Sequence, residues 1–315
     1  MCMSAVFAPE FFAKGKCMKT LMEYGIGDTP LQVEEMCGNK VGFKLEQFNR
    51  LGSIKDRIAY YMIDGIDEKR NTSKEQIKVC ESTSGNLGLA LHYFCNLKGY
   101  QFLCLTDETI PYLKLEKLKS NGVSYEIVEQ VDGLDFRDSR IRRAKELECQ
   151  GYYWTNQYDS VMAIKAHYET TGPEIWQQTN GKITHLICSV GTGGTIIGTG
   201  KYLKEKNSHI KLIGVEPYGS TIFGSEEYKY LSVGAGMKGK PGNILRHMDL
   251  IDAWEIVKDE DSIRECRKLH ENYNLNVGIT SGMAYHAARK IIDSSQNQYI
   301  VIICPDGSAC YEQYF

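Results

Sequence analysis

Short apolar runs rich in β-branched residues alternate with longer helical patterns along most of this chain, and that alternation leaves few folds open to it. Ile77-Lys78-Val79-Cys80 precedes a helical pattern from Asn86 to Lys98. Phe102-Leu103-Cys104-Leu105 precedes Leu113 to Ser120, and Tyr125-Glu126-Ile127-Val128 precedes Phe136 to Cys149. The second half repeats the scheme. A run from His185 to Val190 leads into Thr195 to Lys204 and then Leu212 to Val215. Helical patterns over Ser262 to Tyr273 and Ala284 to Ile292 come before a last strand at Tyr299 to Cys304. This order predicts an α/β fold with largely parallel sheets flanked by helices. In such sheets ligands sit beyond the carboxyl ends of the strands, where loops meet helix N-termini.

Composition narrows the function classes. The 315 residues suffice for two sizeable cores or one large α/β unit. A net charge of -3, with no long Lys/Arg cluster, argues against a nucleic-acid-binding face. No apolar stretch reaches membrane-spanning length, and Ala5 to Pro9, followed at once by Glu10, is too short for a signal peptide. A cytoplasmic protein is therefore expected. The 11 cysteines are odd in number and scattered, with no C-x-x-C pair, so neither a metal site nor a disulfide framework is expected. Cys80, Cys104, Cys188 and Cys304 fall in apolar runs and are expected to be buried, reduced thiols.

Four loops stand where ligands are expected. The first runs from Asn49 to Arg57, after a half-buried run at Val41 to Glu46 and before a helix carrying Ile58, Tyr61 and Met62. Gly52 permits a sharp bend, and Ser53 with Asp56 reads as a capping pair at the helix start. Lys55 then lies in the first turn, where positive potential disfavours its ammonium and suits a Schiff-base lysine. A surface lysine on an amphipathic helix would fit the same stretch. The second loop, Glu81 to Gly88, offers hydroxyls, backbone amides and a carboxamide to a carboxylate; a well-capped helix start would look the same. The third, Ser189 to Thr195, has three glycines and two threonines, which suit a single phosphate. It is neither G-x-G-x-x-G nor a Walker loop. The fourth, Gly278 to Gly282, precedes a helix and provides neutral hydroxyls. A reactive lysine, a carboxylate cup and a one-phosphate cup together point to pyridoxal 5′-phosphate. Gly234 to Gly242 reads as a mobile loop.

With these residues in view, nearly the whole chain resembles the fold type II pyridoxal-phosphate enzymes of the cysteine synthase (O-acetylserine sulfhydrylase) and cystathionine β-synthase family, a tryptophan synthase β-like fold. The resemblance runs from Gly27-Asp28-Thr29-Pro30-Leu31 to Pro305-Asp306, and the motifs that carry it are Lys44-Leu45-Glu46 with Gly52 to Arg57, Thr83 to Asn86, Thr170 to Trp176 and Gly191 to Thr195. The resemblance implies that Lys55 forms the Schiff base with the cofactor and serves as the base at Cα. Asn86 would bond the ring hydroxyl, and Gly191, Thr192, Gly193, Gly194 and Thr195 would hold the phosphate. Thr280, with Ser281 as fallback, would face the pyridine nitrogen. Thr83, Ser84, Gly85, Asn86 and Gln157 would hold the substrate α-carboxylate. It further implies a smaller mobile domain at 49–160, a larger domain made of 21–48 and 161–315, and a homodimer.

The implied reaction is β-replacement on O-acetyl-L-serine, O-phospho-L-serine or L-cysteine through an aminoacrylate, with sulfide as acceptor or product. Some motifs depart from the usual pattern. Arg50-Leu51 stands before the glycine-serine pair, Leu87 replaces a threonine, and Asp306 to Tyr311 lacks the usual arginine. Two alternatives stay open. The stretches Ser84 to Gly88, Trp154 to Tyr158 and Thr221 to Gly224 are similar to the branch that joins O-phosphoserine to glutamate in siderophore pathways. The other alternative is a non-catalytic homologue that binds the cofactor.

Overall fold

Two sheets frame the described residues, 21–70, 76–83 and 85–311, in this computed structural model. In chain order the strands are β1 (Leu31–Met36), β2 (Asn39–Leu45), β3 (Lys78–Ser82), β4 (Gln101–Thr106), β5 (Tyr125–Ile127), β6 (Tyr153–Trp154), β7 (His185–Ser189), β8 (Lys211–Pro217), β9 (Ala253–Val257) and β10 (Tyr299–Cys304). The helices are α1 (Lys55–Arg70), α2 (Asn86–Lys98), α3 (Tyr112–Ser120), α4 (Phe136–Cys149), α5 (Val161–Ala166), α6 (Gly172–Gln178), α7 (Gly194–Lys206), α8 (Gly242–Leu245), α9 (Asp259–Tyr273) and α10 (Ile279–Ser294). The larger sheet has the order β1-β2-β10-β7-β8-β9 and the smaller one β5-β4-β3-β6. All neighbours pair in parallel except β1 and β2. Those two form a hairpin whose linking residues, Cys37 and Gly38, both have positive φ, as a two-residue turn that matches strand twist requires.

The α/β architecture and the parallel sheets are as the sequence predicts. Helices α2 and α4 span the predicted residues without change. Cys80, Cys104, Cys188 and Cys304 are buried and unpaired, as expected. No helix among the described residues is long and apolar enough to cross a membrane.

Three readings need correction. Val41 to Glu46 is fully buried rather than half-buried, because β2 is an interior strand between β1 and β10. Even Lys44 and Glu46 are inaccessible, at 0 % exposure. Helix α10 begins at Ile279, not near Ala284, so Thr280 and Ser281 lie inside its first turn rather than in a loop before it. Its apolar face starts earlier than the pattern suggested, since Ile279, Met283 and Ala284 are all buried. Helix α9 begins at Asp259, where three acidic residues fill the first turn. They suit the positive end of the helix but contribute nothing to hydrophobic periodicity, so the sequence pattern starts too late.

Candidate active site

The Lys55 turn is held from several sides. Gly52 takes φ 90°, as the bend requires. The Lys55 amide donates to Ser53 Oγ at 3.2 Å, and the Leu51 amide donates to Asp56 Oδ2 at 2.6 Å. Ser53 therefore caps as expected, whereas Asp56 reaches beyond it to brace the preceding bend. The Ile54 amide donates to the Pro305 carbonyl at 2.8 Å, and Ser53 forms an antiparallel bridge with Asp306. The turn is thus pinned to the chain that leaves β10. Lys55 is the first residue of α1 and is half-buried, surrounded by protein but open to a cavity. Burial lowers its pKa most, Cys188 and Asp306 oppose this, and Lys114 adds to the lowering. Arg50 is exposed and stacks over Tyr93, its guanidinium 5.1 Å from the ring centre.

The glycine loop between β7 and α7 forms a cradle no larger residue fits. Gly193 has φ 84°, and a Cβ there would stand 2.5 Å from Ile244 Cγ1. No side chain caps α7, so the first amides of this 13-residue helix are free of that competition. His167 lies behind the cradle in a π turn, His167–Thr171, between α5 and α6. Its Nε2 is 3.2 Å from Thr195 Oγ1 and its Nδ1 is 2.9 Å from Thr171 Oγ1. Burial, reinforced by Arg57 and Lys55, pushes the His167 pKa well down, so the ring is neutral. Asn243 donates its carboxamide to the Thr192 carbonyl at 3.0 Å and the Gln157 carbonyl at 3.1 Å. Neither His167 nor Asn243 stands out in the sequence.

Opposite lies the loop from β3 to α2. Gly85 has φ 136°, and its amide donates to Thr83 Oγ1 at 3.2 Å. Asn86 Nδ2 donates to Asp306 Oδ2 at 3.0 Å, and Gln157 Nε2 donates to the Ser82 carbonyl at 2.7 Å. Ser84 lies outside the described residues. Glu81 accepts from the Thr155 hydroxyl and from the Gln157 amide, which holds Gln157 beside the loop.

A cavity of about 430 Å3 brings Lys55, Thr83, Asn86, Gln157, Gly191 and Thr192 to one wall system. A smaller pocket shares Lys55, Asn86, Gly191 and Thr192 with it and adds Gly193, Thr195 and Thr280. Gly85, Gly194 and Ser281 are buried beside these spaces without lining them. Of the two candidate hydroxyls, Thr280 and Ser281, Thr280 is therefore the one that meets the cavity. The Gly234 to Gly242 stretch divides. Ala235 and Met237 are buried and the Gly236 amide donates to Val190 O at 2.7 Å, while Lys238 to Lys240 are exposed.

These features fit pyridoxal phosphate. The glycine cradle at a helix N-terminus suits its phosphate, Lys55 supplies an amine on the same cavity, and Asn86 and Thr280 supply neutral polar groups for the ring edge.

Residues 22–306 match the family described as pyridoxal-phosphate dependent enzyme. The chain is 33% identical over 299 residues to cysteine synthase B of Escherichia coli strain K12, covering 92% of this chain and 93% of the relative. Among solved structures, it is similar to an O-acetylserine dependent cystathionine beta-synthase from Helicobacter pylori, with TM-score 0.84 and 30% identity, covering 93% of this chain and 97% of that one. It is also similar to a hydrogen sulfide-producing enzyme from Fusobacterium nucleatum, with TM-score 0.83 and 30% identity, covering 91% and 97%.

Proposed function

This chain belongs to the pyridoxal-phosphate dependent enzyme family, and on that premise we propose that it replaces the β substituent of a β-substituted L-alanine by cysteine synthase-like chemistry. Its cofactor is pyridoxal 5′-phosphate. The observation that carries the reading is the meeting of Lys55 and the Gly191 to Thr195 cradle in one cleft, with Asn86 and Thr280 on the same walls. The names of the relatives, cysteine synthase and hydrogen sulfide-producing enzyme, favour sulfide as acceptor or product over an amine acceptor.

When bound, the cofactor supplies an electron-withdrawing ring that acidifies Cα of the attached amino acid. The residues of the chain do the rest. The amides of Gly191 to Thr195 hold the phosphate at the positive end of α7. The Asn86 carboxamide donates to the ring hydroxyl, and Thr280 offers a neutral hydroxyl to the ring nitrogen. A neutral partner there does not enforce a charged ring, which favours prompt loss of a β leaving group over reactions that need a long-lived carbanion. Thr83, Ser84, Gly85, Asn86 and Gln157 receive the substrate carboxylate. Lys55, whose burial makes its proton easy to lose, is the nucleophilic amine and then the base. It takes the Cα proton as the β substituent leaves, and returns it after sulfide has added at Cβ.

The smaller domain, 49–160, which contains all four strands of the smaller sheet, is read as the part that closes on the substrate. Within it the Lys55 turn, Asn86 and Lys114 are all bonded to the Pro305 to Tyr311 segment of the larger domain, which is where the two parts meet. A homodimer and a cytoplasmic location complete the reading, on the strength of the family resemblance. The test is to mix the cofactor-loaded protein separately with O-acetyl-L-serine, O-phospho-L-serine and L-cysteine, and to follow the visible spectrum. At least one donor should change it and release acetate, phosphate or sulfide. A protein that binds the cofactor yet processes none of the three is not a β-replacement enzyme.

A further inference from the structure

The loop that should receive the substrate carboxylate provides only neutral groups. Gln157 already gives a proton to the Ser82 carbonyl, and Asn86 gives one to Asp306. Thr83 Oγ1 accepts from the Gly85 amide, and Leu87, which also lines the cavity, has no polar group. A cation stands on the same cavity. Lys114, on α3, lines it together with Lys55, Thr83 and Asn86, although the residue as a whole is only 3 % exposed. Its aliphatic stem packs under the loop, with Cβ and Cδ 3.3 Å from where a Cβ on Gly85 would stand. Its Nζ makes one long hydrogen bond among the described residues, 3.3 Å to Tyr311 Oη, and lies 5.1 Å from that ring's centre. No carboxylate among the described residues forms an ion pair with it. A buried ammonium with one weak partner is costly, and a substrate carboxylate bound beside it would relieve that cost.

Resting on the β-replacement reading above, we propose that Lys114 is the cationic anchor of the substrate α-carboxylate and restricts the site to free α-amino acids. Lys114 reaches the carboxylate from beneath the Thr83 to Asn86 loop, and the neutral amides of the loop fix its orientation. Burial lowers the Lys114 pKa most and Asp306 opposes that, so an arriving carboxylate also helps to keep the ammonium charged. The anchor takes the place of the hydroxyl that Leu87 lacks.

The competing source of an anion at Lys114 is the β leaving group, and the test separates the two. Cofactor-loaded wild type, Lys114→Met and Lys114→Arg are titrated spectroscopically with L-alanine, which has a carboxylate and no leaving group, and with L-alaninamide, which has neither. Turnover of the active donor is measured alongside. The Met variant keeps the packing stem under Gly85, and its cofactor absorbance reports that the site is assembled. For Lys114→Met, the L-alanine dissociation constant and the donor KM should rise about 10- to 100-fold. Its kcat and its affinity for L-alaninamide should stay within about threefold of wild type, and Lys114→Arg should recover part of the loss. An unchanged L-alanine affinity in the Met variant, or an equal loss for the amide, overturns the anchor while leaving β-replacement intact. A wild-type protein that processes no β-substituted alanine brings down the reading of function and the anchor together.

Discussion

Replacing Arg57 by methionine should destabilise the protein by about 3–5 kcal/mol, because it unpairs two buried carboxylates. The Arg57 side chain is 0 % exposed and makes five hydrogen bonds. Its Nε donates to Glu46 Oε2 at 2.7 Å and its Nη1 to Glu174 Oε1 at 2.6 Å. Its Nη2 is shared among Glu46, Glu174 and Thr29. Lys44 closes the network on Glu174 at 2.7 Å, so two cations face two anions with almost no access to water. Without Arg57 one cation faces two anions, and lysine alone cannot span both. Glu46 shows what is at stake. Burial tends to raise its pKa, yet Arg57 and its hydrogen bonds, with Lys44, hold it down to about 2. In the wild type this carboxylate contributes stability present above its unfolded pKa and lost as pH falls through about 2. In Arg57→Met burial prevails and the folded pKa moves above the unfolded one, so the deficit should be larger near pH 8 than near pH 5. Urea unfolding at both pH values measures this, with an unchanged m value indicating a pure stability effect. A loss below about 1 kcal/mol, or one that is the same at both pH values, would refute the reasoning. Adding Glu46→Gln to Arg57→Met should recover part of the loss, since the unpaired charge is then gone.

Lys55→Ala should still bind pyridoxal phosphate through the glycine cradle but lose it on dialysis, and borohydride should trap no adduct. A trapped adduct in that variant would move the covalent role to another lysine, with Lys114 on the same cavity the first to test. Glu81 gives a pH prediction of opposite sign to Glu46. Burial raises its pKa to about 7 against the hydrogen bonds from Thr155, Gln157 and Trp154. Its contribution is therefore fully present below the unfolded pKa and is lost as pH rises through about 7, an effect on the order of 3 kcal/mol. Glu81→Gln should flatten the stability profile between about pH 5 and pH 8, leaving the similar contribution of Asp56, which burial also raises to about 7. A profile as steep as that of the wild type would show that Glu81 stays ionised in the fold.

The sequence made the scaffold legible because strands and helices announce themselves by periodicity. The candidate cleft came into view only when the loops were taken together, since each one alone fits an ordinary helix start. The sequence failed where one chain segment answers another far away. Lys44-Leu45-Glu46, Arg57 and Glu174 all lie in motifs visible in the sequence, yet only the fold brings them together, across 117 residues from Arg57 to Glu174. Asp306 looked like a departure in a terminal motif. In the fold it accepts from Asn86 and Tyr311 and its backbone borders the Lys55 turn. Thr280 and Ser281 were adjacent and chemically alike, and only the rotation of α10 separates the one that meets the cavity from the one that does not.

Three lysines make the same point about function. Lys44, Lys55 and Lys114 are all pushed toward lower pKa, with burial the largest cause each time. Their partners differ. Lys44 donates to Glu174, to the Thr29 carbonyl and to Gln178 within 3.0 Å, so all three of its protons are used and its charge is locked into the network. Lys114 has one long hydrogen bond and a ring face, which suits a cation waiting for an anion. The Lys55 ammonium group has no hydrogen bond or ion pair among the described residues and opens on the cavity beside the cradle. With burial against it and no acceptor to hold the proton, it is the one of the three free to become a neutral amine and react. On the proposed reading, it is burial without an acceptor, and not burial alone, that marks the reactive lysine.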